Sequence, residues 1–229
     1  MKIRLSPRLQ RIADYVVPGS TIIDVGTDHA YIPIWLLQNG ICETAFASDI
    51  KRGPLENAAR DAEACGLADR LSLLLCDGLA LCRPECVDTV IIAGMGGETI
   101  MGILAAAPWV REKRLILQPQ TKYFELRGFL AENGYCIADA SLAYDTGRIY
   151  RVWQVEAGEE KDHGRVEAAL MEKRDPLLKP YMEDMIKRLR KQIQGVERAS
   201  DSSPELLSAL RCELEEYIRV HEEGESWQR

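Results

Sequence analysis

In the first part of the chain, short runs of β-branched and apolar residues are separated by polar segments of helical length. The runs predict strands over 21–25, 44–49, 71–76, 89–93, 115–118, 135–144 and 149–156. Between the first five lie stretches long enough for a crossover helix, such as PLENAARDAEACG. Strands that alternate with helices imply a parallel sheet covered on both faces. The last two runs differ, because only DTGR separates them and Asp145-Thr146-Gly147 is turn chemistry. They predict an antiparallel hairpin closing an otherwise parallel sheet.

From about residue 158 the pattern changes. Leu178, Met182, Met185, Leu189 and Ile193 recur at spacings of four, three, four and four, and Leu207, Leu210, Leu214 and Tyr217 do likewise. Ser203-Pro204 suits the start of the second helix. Two amphipathic, heavily charged helices joined by a short break predict a protruding antiparallel coiled-coil hairpin. The division expected is therefore an α/β domain over 1–157 and a helical hairpin over 158–229.

An apolar fraction of 46% predicts a packed core rather than disorder. No run of about 18 apolar residues is present, and charges interrupt the N-terminal MKIRLSPRLQRIADYV, so neither a membrane span nor a signal peptide is expected. The seven cysteines form no CxxC pair, which reads as reduced thiols in a cytoplasmic protein. Cys82 and Cys86 lack a nearby histidine, so no metal is expected. A net charge of −7 opposes a polyanionic partner on average but hides local basic patches. These are Arg4, Arg8 and Arg11 at helical spacing, and Lys187, Arg188, Arg190 and Lys191 within KRLRK.

In open parallel sheets, ligands bind outside the carboxyl ends of the strands. The first strand candidate runs into DVGTDHAY, where Asp24 and Gly26 precede Asp28, His29 and Tyr31. The second ends at Asp49, 23 residues beyond Gly26, a distance that suits an acceptor for two ribose hydroxyls. The third ends at Asp77-Gly78, where a second acid suits an exocyclic amine. The fourth runs into AGMGGETI, whose glycines at 94, 96 and 97 permit close approach of a ligand. A phosphate site wants anion donors and few carboxylates. Four acids instead suit a cationic, phosphate-free cofactor such as S-adenosylmethionine.

These residues resemble the Rossmann-like fold of class I methyltransferases. The closer resemblance is to the TrmK family, bacterial tRNA (adenine-N1) methyltransferases acting on adenine twenty-two of tRNA. It rests on LSPRLQRIA, DVGTDHAYIPI, ASDIKRGPLENA, CDGL, AGMGGETI, LILQPQ and YDTGRIYRV, and the helical tail agrees. The resemblance implies S-adenosylmethionine as cofactor and tRNA as partner. It assigns the cofactor to Asp24, Gly26, Asp49, Ile50, Asp77, Gly78, Gly94 and Met95, and tRNA to the two basic patches. The first loop departs from the common GxGxG, since Asp28 and Ala30 stand where glycines are usual. The fourth strand lacks the Asn/Asp-Pro-Pro-aromatic motif of enzymes that methylate exocyclic amines, which fits attack by a ring nitrogen instead.

Asp28, His29 and Tyr31 are the candidate catalytic residues. Asp28 is placed to stabilise a cationic product ring or to hold the donor's amino group, His29 to hydrogen-bond the base, and Tyr31 to stack. The alternatives are a helix cap for Asp28, a structural histidine and a packing tyrosine. A small-molecule methyltransferase, a nicotinamide-dependent oxidoreductase and a non-enzymatic RNA-binding protein are the rival readings. The first needs no basic patches or tail, the second needs phosphate-facing glycines, and the third needs no cofactor acids. A monomer is favoured, with the oligomeric state left open.

Overall fold

The computed structural model describes residues 1–159, 165–198 and 203–226. It divides into two compact units, Met1–Val166 and Glu167–Arg229. The first unit is built on seven strands: β1 (Ile22–Val25), β2 (Ala45–Asp49), β3 (Leu71–Leu75), β4 (Thr89–Met95), β5 (Arg114–Pro119), β6 (Tyr135–Asp145) and β7 (Arg148–Ala157). They form one sheet in the order β3-β2-β1-β4-β5-β7-β6. The first five are parallel, and β6 and β7 pair antiparallel with each other, β7 also running antiparallel to β5. This is the predicted Rossmann-like methyltransferase sheet with its closing hairpin. Ile22, Ile23, Val90, Ile91, Ile92, Leu115, Ile116 and Leu117 are buried, as a central parallel strand covered on both faces requires.

Five helices connect or precede these strands: α1 (Pro7–Ala13), α2 (Tyr31–Gln38), α3 (Arg52–Ala64), α4 (Gly97–Ala106) and α5 (Tyr123–Glu132). Helix α1 starts at Pro7 because Ser6 caps it, its Oγ accepting from the Leu9 amide at 3.5 Å. The same hydroxyl donates to Asp145 Oδ2 at 2.5 Å and so ties α1 to the β6–β7 turn. Arg4 therefore lies ahead of the helix, and the three arginines do not form the single helical row that their spacing predicts.

The strand order reverses between β1 and β4, so the loops after these strands and their neighbours define the ligand crevice. A β-bulge at Gly94 and the approach of α4 to the segment after β5 shape one wall. A Cβ at position 97 would lie 2.7 Å from the Lys122 carbonyl oxygen and 2.8 Å from that of Thr121, so only glycine permits this packing.

The second unit contains most of α6 (Arg165–Glu172), then α7 (Leu178–Arg198) and α8 (Pro204–Ser226). The short α6 is not legible in the sequence, since eight residues give too few turns for a clear period. On α7 the predicted row Leu178, Met182, Met185, Leu189 and Ile193 is buried. On α8 Leu210 and Tyr217 are buried, while Leu207 and Leu214 are partly so. Tyr181 and Tyr217 meet edge to face with centroids 6.4 Å apart. Ser203 caps α8 by accepting from the Leu206 amide at 3.2 Å. The expected break between the helices lies partly outside the described residues. Among the described residues no helix is long and apolar enough to cross a membrane.

The loop from β1 to α2 is held from beneath. Buried Asp24 accepts from Thr27 Oγ1 at 2.7 Å, and Thr27 Oγ1 accepts from the Ala30 amide at 3.0 Å. Ala30 is thereby fixed in the left-handed region at φ 50°, which costs a non-glycine residue roughly 1 kcal/mol. Burial pushes the Asp24 carboxyl up from 3.8 to about 6, with the Thr27 hydrogen bond acting in the opposite direction. A carboxyl whose pKa rises on folding stabilises the fold fully below pH 3.8, and this contribution is lost as pH rises through about 6. Asp24→Asn is therefore expected to stabilise the protein at pH 8 by up to about 3 kcal/mol and to change little at pH 4. Thermal melts of both proteins across this range check it; an equal difference at both pH values would contradict it.

Candidate active site

The crevice is assembled from the segments that follow β1 to β5. After β1 the chain turns at Gly26, whose φ of 74° needs glycine. An added Cβ there would lie 2.0 Å from Met95 Cε, so Met95 of β4 closes over this glycine. The amides of Gly26 and Thr27 both donate to the Ser48 carbonyl of β2, at 2.8 and 3.1 Å. With the Ala30 amide on Thr27, three donors of this loop are consumed by the protein itself. A pyrophosphate cradle needs such donors turned outward.

The acceptors are arranged in the opposite way. At the end of β2, Asp49 Oδ1 accepts from the Lys51 amide at 2.7 Å, while Oδ2 has no hydrogen bond among the described residues. Exposed Ile50 follows directly. Beyond β3, Asp77 is exposed and its carboxylate has no hydrogen bond or ion pair among the described residues. Ser48 Oγ donates to the Gly78 carbonyl at 2.9 Å, which fixes the β3 turn against β2. Asp77 and Gly78 also border a recess of about 560 Å³ against α4, lined by Leu79, Thr99, Ile103 and Trp109. Unpaired carboxylates beside apolar walls suit a ligand with hydroxyls, an amine and positive charge. S-adenosylmethionine matches this donor set, whereas a phosphate-bearing cofactor does not.

Asp28, His29 and Tyr31 lie together at the entrance to α2. The N-cap of α2 is Ala30, which makes no side-chain cap bond, so Asp28 is not a helix cap. Its side chain is 77% exposed, with the carboxylate 3.8 Å from His29 Nε2. His29 Nδ1 lies 2.8 Å from Asp61 Oδ2 on α3, and its ring stacks on Tyr31 with centroids 4.9 Å apart. The sequence gives no sign of Asp61, since it sits mid-helix, 32 residues from its partner.

Arg8 departs from the expected solvent-facing patch. Its Nη1 donates to Gln118 Oε1 at 2.8 Å, and its guanidinium lies 5.2 Å from the Tyr150 ring centroid. Gln118, fully buried at the end of β5, also accepts from the Gly94 amide at 3.2 Å. Arg8 thus belongs to the crevice wall beside Gly94, not to a helix face. Arg4 is exposed, and exposed Arg11 lies 3.9 Å from Asp14.

In the helical unit, Lys187, Arg190 and Lys191 line one open groove between α7 and α8 with Ile186, Gln194 and His221. Arg188 is instead paired with Asp184 at 2.8 Å. No group of three or more His, Cys, Asp or Glu side chains that could hold a metal ion exists among the described residues.

Residues 5–153 match the family described as a methyltransferase domain. The chain is 36% identical over 160 residues to the tRNA (adenine(22)-N(1))-methyltransferase of Bacillus subtilis, covering 69% of this chain and 67% of that protein. The solved structure of the B. subtilis m1A22 tRNA methyltransferase TrmK superposes with a TM-score of 0.83 at 28% identity, over 96% of this chain and 100% of the other. A Streptococcus pneumoniae protein described as a putative tRNA (m1A22) methyltransferase, solved with S-adenosyl-L-methionine, gives 0.77 at 30% identity, over 95% and 100%. With its sheet, its phosphate-averse loop and this similarity along nearly its whole length, the chain belongs to the TrmK family of tRNA (adenine-N1) methyltransferases.

Proposed function

We propose that this protein transfers a methyl group from S-adenosylmethionine to N1 of an adenine in the D-arm region of tRNA. The observation that carries the reading is the first loop: its amides are consumed internally while the carboxylates around it stay open. When bound, the cofactor supplies a methyl group on a sulfonium, so the adenine N1 lone pair forms the new N–C bond while the S–C pair leaves with sulfur. N1 carries no proton in adenine, so no base is needed before attack. The work of the protein is alignment and stabilisation of the charge that moves onto the purine.

Asp49 and Asp77 take the ribose hydroxyls and the cofactor's adenine amine, with Ile50 and Gly78 bordering the ring. Gly26, Gly94 and Met95 bring the backbone close to the reacting sulfur. Asp24 contributes by holding Thr27, which keeps the loop in its left-handed turn. Asp28 faces the target base, where its charge stabilises the cationic product. Tyr31, 38% exposed, offers a ring for the flipped base to stack on. Arg8 holds Gln118 against Gly94 and presents its remaining N–H groups to tRNA.

The tRNA phosphates are taken by Arg4 and Arg11 and by the groove residues Lys187, Arg190 and Lys191, Arg188 contributing less because Asp184 neutralises it. Seven free cysteines and a tRNA substrate suit a cytoplasmic enzyme. The decisive experiment is incubation of unmodified tRNA with the protein and S-adenosylmethionine, followed by nucleoside mass spectrometry. 1-Methyladenosine at a D-arm adenine is expected; methylation elsewhere, or only of small molecules, would overturn the reading.

Asp49→Ala and Asp77→Ala are each expected to weaken S-adenosylmethionine binding by roughly tenfold, since each removes an acceptor from a ligand donor. Calorimetric titration measures this, and unchanged affinity in both would remove the carboxylates from the cofactor site. Asp28→Ala is expected to slow single-turnover methylation about tenfold to a hundredfold with little change in cofactor affinity. The triple variant Lys187→Ala, Arg190→Ala, Lys191→Ala should leave cofactor affinity unchanged and weaken tRNA binding. Its log–log salt slope should be shallower by roughly two to three, since each phosphate left unneutralised removes about 0.7–0.9. A slope equal to that of the parent protein would place the RNA surface elsewhere.

A further inference from the structure

Asp61 is a half-buried carboxylate outside the proposed reaction, yet it makes a close polar contact to a side chain at the crevice. It lies on α3, and its Oδ2 is 2.8 Å from His29 Nδ1. A carboxylate accepts and does not donate, so Nδ1 carries the proton of the neutral ring. Nε2 then holds a lone pair. The nearest carboxylate to it, Asp28 Oδ2, is 3.8 Å away and beyond hydrogen-bond reach. Turning the ring over would keep its stacking on Tyr31 but break the bond to Asp61, so Asp61 selects this orientation. The result is an imidazole fixed as an acceptor beside the residues proposed to meet the target base.

We propose that Asp61 is a positioning residue that sets the tautomer of His29, so that Nε2 accepts a hydrogen bond from the 6-amino group of the target adenine. The inference rests on the assignment of the reaction to adenine N1. The chemistry selects this role. On the edge where N1 is attacked, adenine offers one neighbouring donor, the 6-amino group, whereas guanine and hypoxanthine present a carbonyl oxygen there. An acceptor at Nε2 pairs with adenine and meets these oxygens lone pair to lone pair. The amine also becomes a stronger donor as N1 gains positive charge, so this bond strengthens along the reaction. The opposite tautomer, with a proton on Nε2, would favour the carbonyl-bearing bases and would oppose the amine.

The chain contains only three histidines, His29, His163 and His221, so the imidazole nitrogens are accessible to long-range ¹⁵N–¹H correlation spectra. His29→Ala identifies the signal. At a pH where the ring is neutral, the full-length protein is expected to show His29 protonated on Nδ1, and Asp61→Ala to lose that state in favour of Nε2. The functional measurement uses two tRNA substrates, one with adenine and one with purine lacking the amino group at the target position. In single turnover, the ratio of the two rates is expected to fall by about five- to tenfold in Asp61→Ala, to or below the ratio seen in His29→Ala. The double variant should be no slower than His29→Ala alone, because Asp61 acts only through the ring. Calorimetry with S-adenosylmethionine, unchanged within about twofold, reports that the variants keep the fold.

Four results overturn the proposal, and the first three are an Asp61→Ala protein with His29 still protonated on Nδ1, a parental ratio in that variant, and losses that multiply in the double variant. A parental ratio in His29→Ala also overturns it, and then the base-reading role of His29 fails with it, while the tautomer spectra still report what Asp61 does to the ring. Absence of 1-methyladenosine in the parent reaction is a separate result, and marks failure of the underlying functional reading.

Discussion

The rest of the crevice depends on how the β1–α2 loop satisfies its own backbone. Nucleotide-binding loops in related sheets direct amides at phosphate. Here the amides of Gly26 and Thr27 turn onto the Ser48 carbonyl, and that of Ala30 onto Thr27 Oγ1. The hydroxyl is available for this because its own proton goes to buried Asp24. Once these three bonds form, the chain cannot cradle an anion, and the next residues are displayed rather than buried. Asp28 becomes an exposed carboxylate, and His29 and Tyr31 become a stacked pair at the first turn of α2. The cost is a buried carboxyl and a left-handed alanine, both destabilising. Such costs concentrate where function rather than folding selects the conformation.

A second hub stands across the crevice. Gln118 is fully buried, and its amide oxygen accepts from both Arg8 and the Gly94 backbone while its Nε2 donates to the Pro119 carbonyl at 3.0 Å. It joins three parts of the chain: the N-terminal helix, the bulge at the end of β4 and the end of β5. Removal of the side chain would release the Arg8 guanidinium and the Gly94 amide from the one buried acceptor they share. The N-terminal segment is therefore part of the site wall. Ser6 makes the attachment double, since its bond to Asp145 fixes α1 to the closing hairpin.

What was legible in the sequence follows from the range of the physics. Strand alternation, the hairpin turn at Asp145-Thr146-Gly147 and the apolar rows of α7 and α8 are encoded within a few residues, so periodicity finds them. The acids Asp49 and Asp77 were legible because a parallel sheet fixes where strand ends lie. Asp61 and Gln118 were not. Each acts through a partner on another element, and spacing carries no information about which helix face or strand end meets which. Arg8 illustrates the converse error: the four- and three-residue intervals of Arg4, Arg8 and Arg11 suggest one face, but Ser6-Pro7 starts the helix after Arg4, and Gln118 draws Arg8 inward. The family resemblance supplied the chemistry of the substrate, which no spacing argument supplied.

The distribution of charge in the helical unit bears on how a protein of net charge −7 can act on a polyanion. Helix α7 carries six basic against three acidic side chains, while α8 carries two basic against seven acidic. The sum is near neutral, yet the two helices differ strongly. Around the groove, Lys187, Arg190 and Lys191 have no ion-pair partner among the described residues, although Glu183 and Glu222 also line it. With a Debye length of about 8 Å at physiological salt, a phosphate at the α7 side senses these three cations more than the acids spread along α8. Segregation between helices, rather than net charge, therefore sets the local potential. A polyanion placed against the acidic α8 side would meet net repulsion instead. Orientation of a large substrate needs such a repulsive face as much as an attractive one.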